Sequence, residues 1–298
     1  MGDDPGRAGV GGGASGGWLF RDTRADAICL YRAGLGILLG GIAIFWLPHA
    51  TELFSNEGFH LGPLAAYAPT PTLAFGLCIA LLVSSLGVAV GFFTRASLVL
   101  TLALWSFLYA VDTINEKANS TIAIVTLAVL LFSPCARRYS VDAWRASRRG
   151  GRRPADTACV LPQRLLQLEF AQIYLFAGLV KVTNADWWSG LTIARALGSR
   201  WGTELGVWLS GWIPPRLSGA ASIGSMTYEL LAAVLLFLPR TRKWAIICGV
   251  VFHVAIQATL VVGVLGLHFL LALLILFPDP EAVSRRARRV FARKLGSD

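Results

Sequence analysis

Long apolar runs alternate along this chain with short polar breaks, most of which carry arginine. Runs close to the roughly 17 to 25 residues that a helix needs to cross a bilayer fall near residues 27–48, 73–93, 96–111, 120–134, 165–182, 220–239, 244–259 and 262–277. The pattern predicts an all-α polytopic bundle of about eight transmembrane helices, because within hydrocarbon a helix satisfies its own backbone polar groups. The last two intervals share one apolar run over 244–277, too long for a single crossing and broken only around Gly263 and Gly266, so seven helices are the alternative. Gly36 with Gly40 and Gly87 with Gly91 are small-residue pairs that allow close helix approach.

The basic residues orient the bundle, since arginine and lysine accumulate on the cytoplasmic side. With the N-terminus inside, the inner segments hold Arg21, Arg24 and Arg32, then Arg95, then the run from Arg137 to Arg153, then Arg240, Arg242 and Lys243, and last the RRARR tail at 285–289. The outer loop from His49 to Thr72 has no basic residue apart from its two histidines. Eight crossings place both termini in the cytoplasm, whereas seven strand the basic tail outside. A bacterial inner membrane is the expected location.

Composition agrees: 55% of residues are hydrophobic and 15% charged, against about 25% charged in soluble domains, and the mean hydropathy is +0.61. The net charge of +10 raises nucleic acid as a partner. Arginines gathered between apolar spans instead suit anionic headgroups, so membrane lipid is the expected partner and nucleic acid is not. Residues 1–21 read as a disordered glycine-rich leader that is not cleaved, lacking the apolar core of a signal peptide. Residues 22–280 form the transmembrane domain and 281–298 a basic cytoplasmic tail. Five cysteines without a CxxC pair argue against a disulfide framework or a redox centre.

Lys181, one of four lysines, stands in AGLVKVTNADWWSG, where an apolar helix meets Asp186, Trp187 and Trp188 toward the outer face. One reading is a lysine that snorkels to the headgroups beside an aromatic belt. The other is a base housed in an apolar pocket, since ionisable groups inside membranes mark functional sites. Glu169, Gln172 and Tyr174 precede it on the same helix; Glu229, His253, Gln257 and His268 lie in later spans. Singly, each suits a packing hydrogen bond; together they suggest a polar cavity within the bundle. His49, Glu52, Glu57 and His60 lack a diagnostic ligand spacing, and no metal is expected.

In order along the chain stand Arg32, GVAVGFFTRASLVL around Gly91 and Arg95, Asp112, YSVDAW at Tyr139 to Trp144, QIYLFAGLVK followed by ADWWSG at Gln172 to Gly190, and Phe252 with His253. These residues resemble the membrane domain of the vitamin K-dependent gamma-glutamyl carboxylases and the HTTM (horizontally transferred transmembrane) superfamily, over about residues 22–280. The resemblance implies that Lys181 is the base that deprotonates a reduced quinone, a menaquinol or vitamin K hydroquinone, with His253 and Asn119 as further catalytic residues. It implies Tyr174, Gln172, Trp187 and Gln257 as residues that hold the quinol, and a peptide or protein substrate at the outer face.

Two departures narrow this. Asn119 stands where the carboxylases have a histidine, and an amide cannot shuttle a proton at neutral pH. The segment before Asp186 is one residue longer, and the chain has no counterpart of the large lumenal domain that captures a propeptide, so propeptide-tethered multiple carboxylation is not expected of this chain alone. The alternative reading is a cofactor-free maturation or export factor for a secreted peptide, resembling the membrane protein that matures a sporulation-delaying toxin. A third leaves the chemistry to a partner, with Lys181 balanced by Asp186.

Overall fold

The computed structural model describes residues 17–113, 117–149 and 155–295; the expected leader falls mostly outside them. The regular structure of the described residues is helical apart from a short antiparallel pair, β1 (Asp22–Arg24) and β2 (Thr157–Cys159), in which Thr23 faces Ala158. The helices are α1 (Asp26–Trp46), α2 (Ala50–Phe54), α3 (Pro71–Val90), α4 (Thr94–Val111), α5 (Lys117–Leu131), α6 (Val141–Arg148) and α7 (Leu161–Thr183). They continue with α8 (Ala185–Trp188), α9 (Thr192–Leu197), α10 (Glu204–Ser210), α11 (Pro215–Leu235), α12 (Arg242–Thr259), α13 (Leu265–Ile275) and α14 (Pro280–Leu295). Each of the eight predicted intervals is largely occupied by one helix, namely α1, α3, α4, α5, α7, α11, α12 and α13.

Four segments, Asp26–Phe54, Pro71–Val90, Thr94–Val111 and Leu161–Thr183, are long and apolar enough to cross a membrane, and α13 with the start of α14 forms a pair bent by 95°. The other helices fall short for a physical reason. Among them, α5 and α13 are short, and α11 and α12 carry Ser222, Ser225, Glu229, His253 and Gln257, which lower their hydropathy. The chain is a multi-pass membrane protein whose less apolar helices bear its polar interior.

Sequence punctuation sets the helix ends. Proline opens α3, α7 and α11 within the first turn, where its missing N–H costs nothing. Gly91 closes α3 at φ +70, a conformation that disfavours any side chain. A Cβ on Gly36 would strike the backbone of Ala89 and Ser85, so this glycine is what lets α1 lie directly against α3. Trp105, Tyr31, Phe170, Leu35 and Leu81 fill the core between α1, α3, α4 and α7.

Arg32 and the YSVDAW segment, with Asp26, build a clamp at one end of the bundle. Buried Arg32 donates to the carbonyls of Cys135 at 3.1 Å, Ala89 at 2.9 Å and Tyr139 at 2.6 Å, and also to Val88. Asp142 accepts from the N–H of Phe93 at 2.9 Å and of Thr94 at 2.7 Å, capping α4. Burial would raise this carboxyl, but the hydrogen bonds from Thr94 and Phe93 outweigh it and hold Asp142 below the usual carboxylate range. Asp26 ties Arg138 at 3.1 Å, Arg24 at 3.0 Å, Tyr139 at 2.6 Å and Ser284 at 2.7 Å. Ser284 lies in α14, so much of the expected basic tail is a helix docked on α1 and β1.

Candidate functional site

Tyr174, Gly178 and Lys181 recur at four and three residues, so they share one face of α7. That face meets α11 at Gly178, where a Cβ would press on the side chain of Leu230 at 2.8 Å and on its backbone N at 3.0 Å. The close approach brings Glu229 to the lysine: Lys181 Nζ donates to Glu229 Oε1 at 2.6 Å and Oε2 at 2.5 Å. The side chains are 18% and 7% exposed, and Nζ lies 5.0 Å from the ring centre of Trp187. In so dry a place the ammonium has both a carboxylate and an aromatic face for charge compensation.

One helical turn and more toward the core, Tyr174 Oη and His253 Nε2 are 2.7 Å apart. Phe269 stacks on the His253 ring at 4.7 Å, fixing the plane of the imidazole. Tyr228 stands edge-on to Tyr174 at 5.5 Å, and its hydroxyl occupies the space a side chain on Gly249 would need. Tyr174, His253 and Phe269 face a cavity of about 470 Å³, which Lys181 and Glu229 also line. Its remaining wall is apolar or small: Ile173, Ala177, Ala221, Ala255, Ile256 and Leu265 are typical. Ile193, Ala196 and Leu197 of α9 line it from a cap of short helices held by Thr203 Oγ1 to Ala258 O at 2.7 Å and Val261 N to Trp201 O at 2.7 Å.

Four of the sequence-selected residues, Lys181, His253, Tyr174 and Trp187, line this cavity. Asn119 does not; it is buried in α5, a helix that packs on α4 and α7. Gln172 is exposed on the other side of α7, in a groove beside the cavity. Gln257 donates to Gly263 O at 2.9 Å and pins the turn between α12 and α13. Glu169 and His268 belong to a separate buried cluster, with Thr126 Oγ1 3.3 Å from Glu169 and Tyr31 Oη 2.9 Å from His268. His60 bonds to Ser55 O, His49 lies 3.9 Å from Glu52, and no group of three metal-ligating side chains occurs among the described residues.

The partner of Lys181 is Glu229, not the Asp186 that sequence proximity offered. Asp186 sits in the first turn of α8, where its N–H donates to Asn184 Oδ1 at 2.9 Å. Glu229 was visible in the sequence as a polar residue in an apolar span, but the pairing was not. Ser225, one turn before Glu229 on the same face of α11, and Tyr228 were missed as well.

The family model of the HTTM domain matches residues 20–281. No curated protein and no solved structure matches the chain.

Proposed function

Because the chain belongs to the HTTM domain family, whose match runs through nearly all of it, we propose that it is a quinol-dependent membrane enzyme that modifies a peptide side chain at the outer face. The observation that carries this reading is the Lys181–Glu229 pair at 2.6 Å in the wall of an apolar cavity that also holds the Tyr174–His253 pair. The apolar lining suits the ring and methyl groups of a quinol, and the few polar groups suit its two oxygens.

A bound quinol supplies reducing equivalents and a phenolic O–H. The protein's part is to receive that proton and to hold the ring. Lys181 Nζ donates to Glu229 Oε1, so Nζ accepts a proton only as its own passes to Glu229. The pair as a whole takes up one proton, which ends on the carboxylate, and the site gains one unit of charge. Tyr174 Oη, fixed by His253 Nε2, directs a hydrogen bond toward the head of the ligand, and Trp187 closes the wall beside Lys181. The apolar residues keep bulk water from the deprotonated species.

We place the enzyme in a bacterial inner membrane with eight crossings and both termini cytoplasmic. The eight helices that occupy the apolar intervals and the arginine-rich segments between them support that arrangement. The test is mass spectrometry of quinones copurified in mild detergent with wild type and with Lys181→Ala. A stoichiometric quinone lost in the variant supports the reading. Absence of quinone from both preparations transfers support to the cofactor-free peptide-maturation reading, in which Lys181 pairs with a substrate carboxylate.

A further inference from the structure

Among the described residues Arg95 and Arg137 belong to no ion pair, although Arg138, next in the chain, has Asp26 at 3.1 Å and Asp156 at 2.9 Å. Backbone carbonyls aim the two guanidinium groups instead. Arg95 donates to Ser133 O at 2.7 Å and Leu130 O at 3.4 Å at the end of α5, and Arg137 donates to Thr157 O at 2.6 Å in β2. A guanidinium has five N–H donors, so each keeps donors for a further partner. Both side chains line one hollow of about 630 Å³ between the start of α4, the end of α5, α6, β2 and the first turn of α7. The one acid in its wall, Asp142, is turned to the N–H groups of Phe93 and Thr94 and to Thr94 Oγ1 at 2.7 Å. It pairs with neither arginine.

Apolar surface begins at the rim of this hollow. Phe132, in its wall, is 84% exposed, and Leu161 of the wall leads one turn on to Leu165, also exposed. On a multi-pass membrane protein such side chains face lipid. Trp144 of α6 is exposed, with the Arg148 guanidinium 4.7 Å from its ring centre, an arrangement suited to the headgroup level. We propose that the hollow binds an anionic phospholipid, with the phosphate between Arg95 and Arg137 and the acyl chains along Phe132 and Leu165. The volume is mid-range for small-molecule sites of roughly 300–1,000 Å³, enough for a phosphate head and its glycerol. Two unpaired cations select a negative head. The apolar rim selects a lipid over a free phosphate, which would use the arginines and leave Phe132 bare. The site lies at the opposite end of α7 from Lys181 and is independent of what the cavity there holds. Its occupant would bridge α4, α5, β2 and the start of α7.

Native mass spectrometry titrations of the full chain in a mild non-ionic detergent test this, with three probes: phosphatidylglycerol, phosphatidylcholine with the same acyl chains, and glycerol 3-phosphate. Wild type should prefer phosphatidylglycerol over phosphatidylcholine by roughly thirtyfold, the product of two arginines at about fivefold each. Arg95→Gln and Arg137→Gln should each cut that preference about fivefold. Arg148→Gln, on α6 but outside the wall of the hollow, should leave it within about twofold of wild type. Retained phosphatidylcholine binding reports an intact fold. Cys159 is exposed in the same wall, so phosphatidylglycerol should also slow its labelling by a maleimide, read by peptide mapping. No preference in wild type, or an equal loss in Arg148→Gln and Arg137→Gln, overturns the site in favour of diffuse surface charge. Glycerol 3-phosphate bound as tightly as phosphatidylglycerol overturns the lipid in favour of a free phosphate, and unchanged Cys159 labelling overturns the placement in this hollow.

Discussion

The molecule contains two buried tyrosine–histidine pairs with hydrogen bonds of similar length, Tyr174–His253 at 2.7 Å and Tyr31–His268 at 2.9 Å. Tyr174 and His253 line the cavity of about 470 Å³; Tyr31 and His268 do not. Phe269 and Phe170 stand between them: Phe269 stacks on His253, Phe170 meets His268 edge-on at 5.4 Å, and the two phenyl rings touch at 5.1 Å. Around Tyr31 and His268, both fully buried, large residues fill the space; around Tyr174 the wall includes Ala177, Ala221, Ser225, Ala255 and Gly266. Residue type is the same in both places, and the volume of the neighbours decides which pair a ligand can reach. In a close-packed interior, small side chains that converge from four helices, α7, α11, α12 and α13, leave a void that nothing refills.

The sharpest break of this comparison is Lys181→Ala. It removes quinone from the purified protein and leaves Glu229 as an unpaired buried carboxylate, at a cost on the order of 3 kcal/mol in unfolding free energy. The double variant Lys181→Ala/Glu229→Ala recovers most of that stability without recovering quinone, a non-additivity readable in a thermal-unfolding cycle. Equal quinone content in all variants would remove the cavity pair from function.

Next in size is His268→Ala, which empties part of the sealed core and strands the Tyr31 hydroxyl. The thermal midpoint should fall by the equivalent of roughly 3 kcal/mol with quinone retention per folded molecule unchanged. Tyr174→Phe gives the mirror result: quinone affinity falls by about tenfold, as expected for one lost directed hydrogen bond, and stability changes by less than about 1 kcal/mol. If the two variants behave alike, the distinction between open and sealed pairs is wrong.

The smallest effect lies outside both pairs, at Asp142. Its folded carboxyl titrates below the reference value of 3.8, so its contribution is present above that pH and is lost as pH falls through the lower folded value. Asp142→Asn should cost about 1 kcal/mol at neutral pH. In pH-dependent melting, the gap between variant and wild type should close under acid. A gap that widens on acidification would contradict the capping role.

Much of the fold was legible because membrane helices announce themselves locally. Each apolar run of sufficient length is a helix here, and the break at Gly263 within 244–277 is a turn at φ +60. Lys181, Tyr174 and His253, which the fold brings to one cavity, drew notice in the sequence one at a time because polar groups are rare in these spans. Gln172 and Asn119 passed the same filter and stand elsewhere, since hydropathy says that a residue is polar and says nothing about which way its helix is turned. Gln172 faces outward only two residues before Tyr174, a rotation of roughly 200° on a helix.

By itself the sequence determined that this is a polytopic membrane protein, which apolar intervals become its main helices, and which rare polar side chains the bundle must accommodate. These follow from the solvation of short consecutive segments. Only the tertiary structure decided that Lys181 meets Glu229, 48 residues away, rather than Asp186, that Arg32 is a clamp, and that one tyrosine–histidine pair is open while its twin is sealed. Those outcomes depend on how α7, α11, α12 and α13 cross one another, which is set by where a glycine lets two backbones approach and where small residues leave space.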